Sequence, residues 1–230
     1  MGLFARLVGI VTSPRETFQS VVARPRWLGV LVVVTVIMAV FAALPMTTDA
    51  GQEAALRSQV EGMESFGMTV SDEAYEGMRR GMAIAPYTTA GSILVIAPVM
   101  TLVFAGIFFV VFNAVLGGDA SFKQLFAVMA HASVISALQQ LFTGPINYFR
   151  GAVTSATNLT VLLPMFEPTS FIGRVLSMTD LFLIWYILVL SIGLGVLYRR
   201  KTQPIAMTLY GIYAVGVLVL SAVMSRVGGA

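Results

Sequence analysis

A 230-residue chain that is 57% hydrophobic and only 11% charged carries more apolar surface than a soluble domain of its size can bury. Its mean hydropathy is +0.88, and its apolar residues arrive in runs of about 18 or more between charged segments, so a bilayer is the expected solvent. The net charge is a mild +3 and cysteine is absent, which excludes a disulfide framework, a thiolate nucleophile and any Cys-based metal or iron–sulfur site.

Residues 1–26 read as an interfacial amphipathic segment. Leu3, Phe4, Leu7, Val8 and Val11 recur at helical spacing with Arg6 on another face. Ser13, Pro14 and Glu16 then predict a new helix, with Ser13 as its cap, Pro14 at its first position and Glu16 reaching back. Curvature sensing is one use for such a segment; seating the first span is the plainer one.

The first span is expected at 27–45. Because 26 residues with Arg6, Arg15, Arg24 and Arg26 precede it, it reads as a retained anchor rather than a cleaved signal. Thr35, Ala39 and Ala43 recur every fourth residue along it, a spacing that lets helices approach closely. The charged segment 46–89 reads as a helical hairpin, with Leu56, Val60 and Met63 on one stripe, Tyr75, Met78 and Met82 on another, and a break between Gly67 and Ser71. Met46, Met63, Met68, Met78 and Met82 are soft donors of the kind that select Cu(I). Their spacing follows amphipathic faces, so adaptable packing is the expectation and no metal is called for.

The second span is expected at 90–116, kinked at Pro98, with Asn113 near its end. The third, 124–142, is unusually polar. At about 100° per residue, Ser133, Ser136, Gln139 and Gln140 share roughly a third of the circumference, His131 borders that arc, and Asn113 is placed to meet it. Intramembrane polar residues of this kind either line a solute or proton path or glue helices together by hydrogen bonds. Gly144 and Pro145 are expected to end the third helix, and 143–178, mildly apolar over 152–163, reads as a partly buried outer loop or a short re-entrant piece. Asn158-Leu159-Thr160 within it matches a glycosylation acceptor. The fourth span, 180–198, starts with Asp180 as a cap after Ser177 and Thr179, and carries Ser191 and Gly195 at close-packing spacing. A fifth span at 205–224 and a short tail, 225–230, complete the chain.

Each run is long enough to cross about 30 Å of hydrocarbon. Lysines and arginines in short flanking segments mark the cytoplasmic side. Four arginines precede the first span, Lys123 precedes the third, and Arg199, Arg200 and Lys201 fill the turn between the fourth and fifth. Five crossings put all of these on one side, with the amino terminus cytoplasmic and the carboxyl terminus opposite.

No Walker loop, dinucleotide fingerprint, nucleophile elbow or zincin motif occurs, and the single histidine, His131, has no acidic partner within a span. No catalytic residue, cofactor site or metal site is therefore expected. Nucleic acid is not an expected partner either, since no basic cluster with interleaved aromatics stands outside the spans.

Three segments carry a family likeness: Pro14-Arg15-Glu16-Thr17-Phe18 with Arg24-Pro25-Arg26-Trp27, Gly117-Gly118-Asp119-Ala120-Ser121-Phe122-Lys123-Gln124-Leu125, and Asp180-Leu181-Phe182-Leu183-Ile184-Trp185 running to Gly193-Leu194. In this order the chain resembles the Yip1 family, specifically its short prokaryotic form. The resemblance implies an all-α polytopic bundle of five transmembrane helices with a cytosolic amino terminus, here in the bacterial cytoplasmic membrane. Eukaryotic members are associated with Rab-type GTPases through a longer amino-terminal region. Here that region is 26 residues long and lacks the Asp-Leu-Tyr-Gly-Pro motif, so GTPase binding is not expected. The expected role is a non-enzymatic membrane-organising or adaptor protein, with the bilayer, other membrane proteins or a second copy of the chain as partners. The alternative is a small transporter or channel using the polar face of the third span.

Overall fold

The computed structural model describes residues 1–167 and 170–227; the end of the tail, 228–230, lies outside them. Among these residues it is all-helical, apart from one isolated antiparallel bridge between Asn158 and Asp180. Four helical stretches are long and apolar enough to cross a membrane: Leu28–Thr47, Asp72–Val115, Phe122–Arg150 and Thr202–Arg226. The helix expected as the fourth of five spans, Leu181–Leu197, is apolar throughout but 17 residues long.

In chain order the helices are α1 (Leu3–Thr12), α2 (Pro14–Ala23), α3 (Leu28–Ala43), α4 (Asp49–Ser65), α5 (Asp72–Gly81), α6 (Ala85–Phe109), α7 (Phe122–Ala132), α8 (Val134–Arg150), α9 (Leu159–Leu162), α10 (Phe171–Met178), α11 (Leu181–Leu197) and α12 (Thr202–Val227). They fall into two compact units.

The first unit comprises Met1–Met38, Ile93–Gln139 and Phe182–Gly211. Its centre is α7, in which every residue from Leu125 to Ala132 is buried. A helix that is apolar all round belongs inside a bundle, and this one is pinned at its start. The Ser121 hydroxyl accepts from the Gln124 amide and Gln124 Oε1 accepts from the Ser121 amide, a capping box, while Gln124 Nε2 donates to the carbonyl of Val22 at the end of α2. Ile10, Phe18, Val21, Val30, Val34, Val189 and Leu194 close the core around it. Gly193 lets α11 approach closely: a Cβ there would stand 2.6 Å from Val128 Cγ1 and 3.0 Å from the Phe18 ring.

The second unit comprises Ala39–Ser92, Gln140–Leu181 and the chain from Ile212 onward. Thr48 caps α4, accepting from the Gly51 amide, and Ser71 caps α5, accepting from Ala74; Gly67 turns the chain between them with φ +75°. Met46, Ala55 and Ala85 form a small core with Met82 and Val153 against it, whereas Met68 is exposed.

The third-span reading needs two corrections. The helix is interrupted at Ser133, and beyond that it runs through Gly144 and Pro145 to Arg150 instead of ending there. Pro145 removes one amide, but Gly144 seats α8 directly on α3, where a Cβ would stand only 2.5 Å from the Phe41 carbonyl oxygen; that packing carries the helix past its breaker. Residues 143–178 accordingly contain the last turns of α8 together with α9 and α10 rather than a plain loop. Pro98 likewise lies inside an unbroken α6, and six residues of π-helix, Val110–Val115, follow it.

Along α3 the sides sort cleanly. Thr35, Ala39 and Ala43 are buried, while Val32, Val36 and Val40 are 45–55% exposed. α6 exposes a broad apolar face that includes Leu94, Val95, Val99, Leu102, Val103 and Ile107, while Ala105 is buried, as an apolar helix does when lipid covers that face.

Candidate functional site

The polar residues of the third span separate into unlike environments. His131 is fully buried, and its Nδ1 lies 2.7 Å from the Ala127 carbonyl in the preceding turn. That carbonyl can only accept, so the proton sits on Nδ1 and a bare acceptor, Nε2, faces the interior with no partner among the described residues. The Ser133 hydroxyl is satisfied inside its own helix by the Ala130 carbonyl (2.9 Å). Gln139 is engaged by the protein. Ser136 and Gln140 are half-buried, and neither makes a hydrogen bond to another described residue. Ser133, Ser136 and Gln140 therefore do not glue helices together through hydrogen bonds. Serine in a helix reaches the carbonyl three or four residues back more easily than a neighbouring helix, and Ser191, bonded to the Ile187 carbonyl at 2.6 Å, does the same.

Asn113 belongs elsewhere. From the π-helical segment its Nδ2 donates to the Ala120 carbonyl (2.7 Å) and its Oδ1 accepts from the Tyr198 hydroxyl (2.9 Å). Tyr198 also stacks on Phe112, centroids 4.7 Å apart and planes 19° from parallel. Gly118 lies against that ring, where a Cβ would come within 2.6 Å of it. Arg200 Nη2 adds a bond to the Leu116 carbonyl (2.8 Å). These contacts lock the 117–121 loop to the turn between α11 and α12. Gly195, expected to admit a neighbouring helix, instead backs that turn, with Arg200 O and Thr202 Oγ1 3.0–3.1 Å from a Cβ built on it. Sequence reasoning missed Gly118 and Gly193 as close-contact positions; small residues within the familiar segments were the available signal.

The amino-terminal pair inverts one expectation. Arg6 is buried, and its guanidinium donates to the carbonyls of Arg24 (3.1 Å) and Arg26 (3.4 Å). Burial first, and then the charges of Arg26 and Arg24, pull its pKa below the usual arginine value. Phe4, Val8 and Val11 are the exposed face of α1. α2 begins at Pro14 as its sequence predicts, but the Ser13 hydroxyl makes no cap bond; the Ser13 carbonyl accepts from Thr17 Oγ1 instead (2.9 Å).

Asp180 precedes α11, where a cap was expected, and does more than cap. It is buried, and its Oδ2 accepts from Ser155 Oγ (2.5 Å) and Thr157 Oγ1 (2.7 Å), fastening the 151–158 segment to the head of α11. Asn158 is also buried, with Oδ1 accepting from the Val161 amide; it is a helix cap, and a glycan has no access to it.

The Yip1 domain matches residues 8–224 of the chain. "Membrane protein YknW" of Bacillus subtilis (strain 168) is 28% identical over 228 residues, covering 97% of this chain and 93% of that protein. No solved structure matches. With the domain running from α1 to the last turns of α12 and apolar helices long enough to cross a bilayer several times, the chain belongs to the Yip1 domain family and is a multi-pass membrane protein.

Proposed function

We propose that this chain is a non-enzymatic membrane-organising or adaptor protein that crosses the bacterial cytoplasmic membrane five times with its amino terminus in the cytoplasm. The observation that carries the reading is the amino-terminal pair. α1 turns Phe4, Val8 and Val11 outward and holds Arg6 inward on backbone carbonyls, which makes a lipid-facing surface anchored to the α7 core rather than a loose amphipathic tail. For the fifth crossing, 17 residues of α11 rise about 26 Å, and the helix is bounded by Asp180 at one end and Arg199–Lys201 at the other. The partners this calls for are lipid and other membrane proteins or a second copy, with no role for nucleic acid or a Rab-type GTPase.

The transporter reading is favoured by the bare Nε2 of His131 and the unbonded Ser136 and Gln140. Purified protein in vesicles loaded with a pH-sensitive dye separates the two. Under an imposed pH gradient, wild type and His131→Ala are expected to leak no faster than empty vesicles, and a bimane label on Phe4→Cys is expected to be quenched by shallow nitroxide lipids. A proton flux that His131→Ala abolishes would put the transporter first, and an unquenched Phe4 label would remove the lipid-facing surface.

A further inference from the structure

Within the first unit a cavity of about 680 Å³ opens between α2 and the α11–α12 turn, lined by Arg15 and Gln19 from α2 and by Arg199, Arg200, Lys201 and Thr202 from the turn. Four cations converge on it. The ion pairs Arg57–Glu53 and Arg79–Glu76 lie elsewhere. Arg200 is tethered by one guanidinium nitrogen to the Leu116 carbonyl, which fixes the fork and leaves further donors for a ligand. Thr202 and Gln203, the first two residues of the 26-residue helix α12, lie on the same wall and bring the positive end of its dipole to the cavity.

The backbone supplies a second, independent sign. Arg199 is the one non-glycine residue with a left-handed conformation among the described residues, φ +52°. It ends α11, where the Arg200 amide closes back on the Gly195 carbonyl (2.9 Å), a position glycine fills without strain. An arginine held in glycine's conformation keeps its strain in exchange for what its side chain does, and here that side chain lines a basic cavity.

We infer that this cavity binds a phosphate-bearing anion. Its volume lies within the roughly 300–1,000 Å³ of small-molecule sites, and three guanidiniums, that of Arg200 held in place, with the Lys201 ammonium are the donor set that phosphate oxygens take. The chemistry is shared by an anionic phospholipid headgroup and a free phosphate ester, and it does not rest on the adaptor reading.

The test is thermal unfolding of the full chain in uncharged detergent, titrated with dihexanoyl phosphatidylglycerol, glycerol 3-phosphate and inorganic phosphate. Dihexanoyl phosphatidylcholine and sodium chloride at matched ionic strength are the controls. Wild type is expected to show a saturable rise in melting temperature with phosphatidylglycerol. If glycerol 3-phosphate or inorganic phosphate matches it, the source is a free phosphate; if neither does, the source is a lipid headgroup. Arg199→Gly relieves the backbone, so its ligand-free melting temperature should hold or rise while its titration midpoint weakens about tenfold, the loss expected for one charge-assisted contact. Arg15→Gln, at an exposed position, should weaken the midpoint similarly. No saturable rise with any phosphate probe, an equal rise with phosphatidylcholine or sodium chloride, or an unchanged midpoint in both variants would overturn the site.

Discussion

Gly193→Ala is expected to lower the unfolding free energy of the detergent-purified protein by about 1–3 kcal/mol, the usual cost of inserting a carbon into a filled core. The added Cβ would meet Val128 at 2.6 Å and the Phe18 ring at 3.0 Å. Val128 is fully buried on α7 and Phe18 fully buried on α2, so neither can withdraw without disturbing the core that holds the amino-terminal pair. Gly211→Ala is the matched control: a Cβ there meets nothing within 4 Å, and helix propensity alone predicts a gain of up to about 1 kcal/mol. Equal melting temperatures for the two variants would mean that α11 does not pack on α7 at Gly193.

Asp180→Ala is expected to cost about 3 kcal/mol. Two hydroxyls, from Ser155 and Thr157, converge on a single carboxylate oxygen, and hydrogen bonds to a charged acceptor are each worth about 1.5–3 kcal/mol when the abandoned partners stay buried. Asp180→Asn keeps an oxygen in place and should retain most of the stability. Limited proteolysis supplies the second readout, because the 151–158 segment loses its fastening in Asp180→Ala and should be cut earlier. A stable Asp180→Ala protein with unchanged cleavage would reduce Asp180 to a helix cap and nothing more.

The membrane-spanning helices were legible because bilayer solvation acts on composition: long apolar runs have no other stable state. The helix start at Pro14 follows from local chemistry that reads along a few residues. What escaped depends on partners far apart in the chain. Arg6 looks like the wet face of an amphipathic helix until the carbonyls of Arg24 and Arg26 come within its reach. Pro145 looks like a terminator until Gly144 is found seated on Phe41. Asn158 looks like a surface acceptor until it is seen bridged to Asp180 and capping α9. Within the candidate site, the polarity of the third span was visible, but its bonding was not. Whether a serine spends its hydroxyl on its own helix or on a neighbour is decided by rotamer and distance, not by helical phase. Asn113, placed by helical arithmetic beside His131, is drawn instead to Tyr198 and Ala120 by the π-helical turn that carries it.

The five-crossing orientation proposed for the chain, which would put the α11–α12 turn on the cytoplasmic side, is tested most directly by single-cysteine labelling, for which the natural absence of cysteine leaves no background. Ser58 on α4 and Gln203 at the start of α12 are both exposed, so either introduced thiol is reachable once a reagent is on its side of the membrane. In intact cells of a bacterial expression host, an impermeant maleimide is expected to label Ser58→Cys, and to label Gln203→Cys only after permeabilisation. Labelling of Gln203→Cys in intact cells, with Ser58→Cys protected, would contradict the five-crossing arrangement with a cytoplasmic amino terminus.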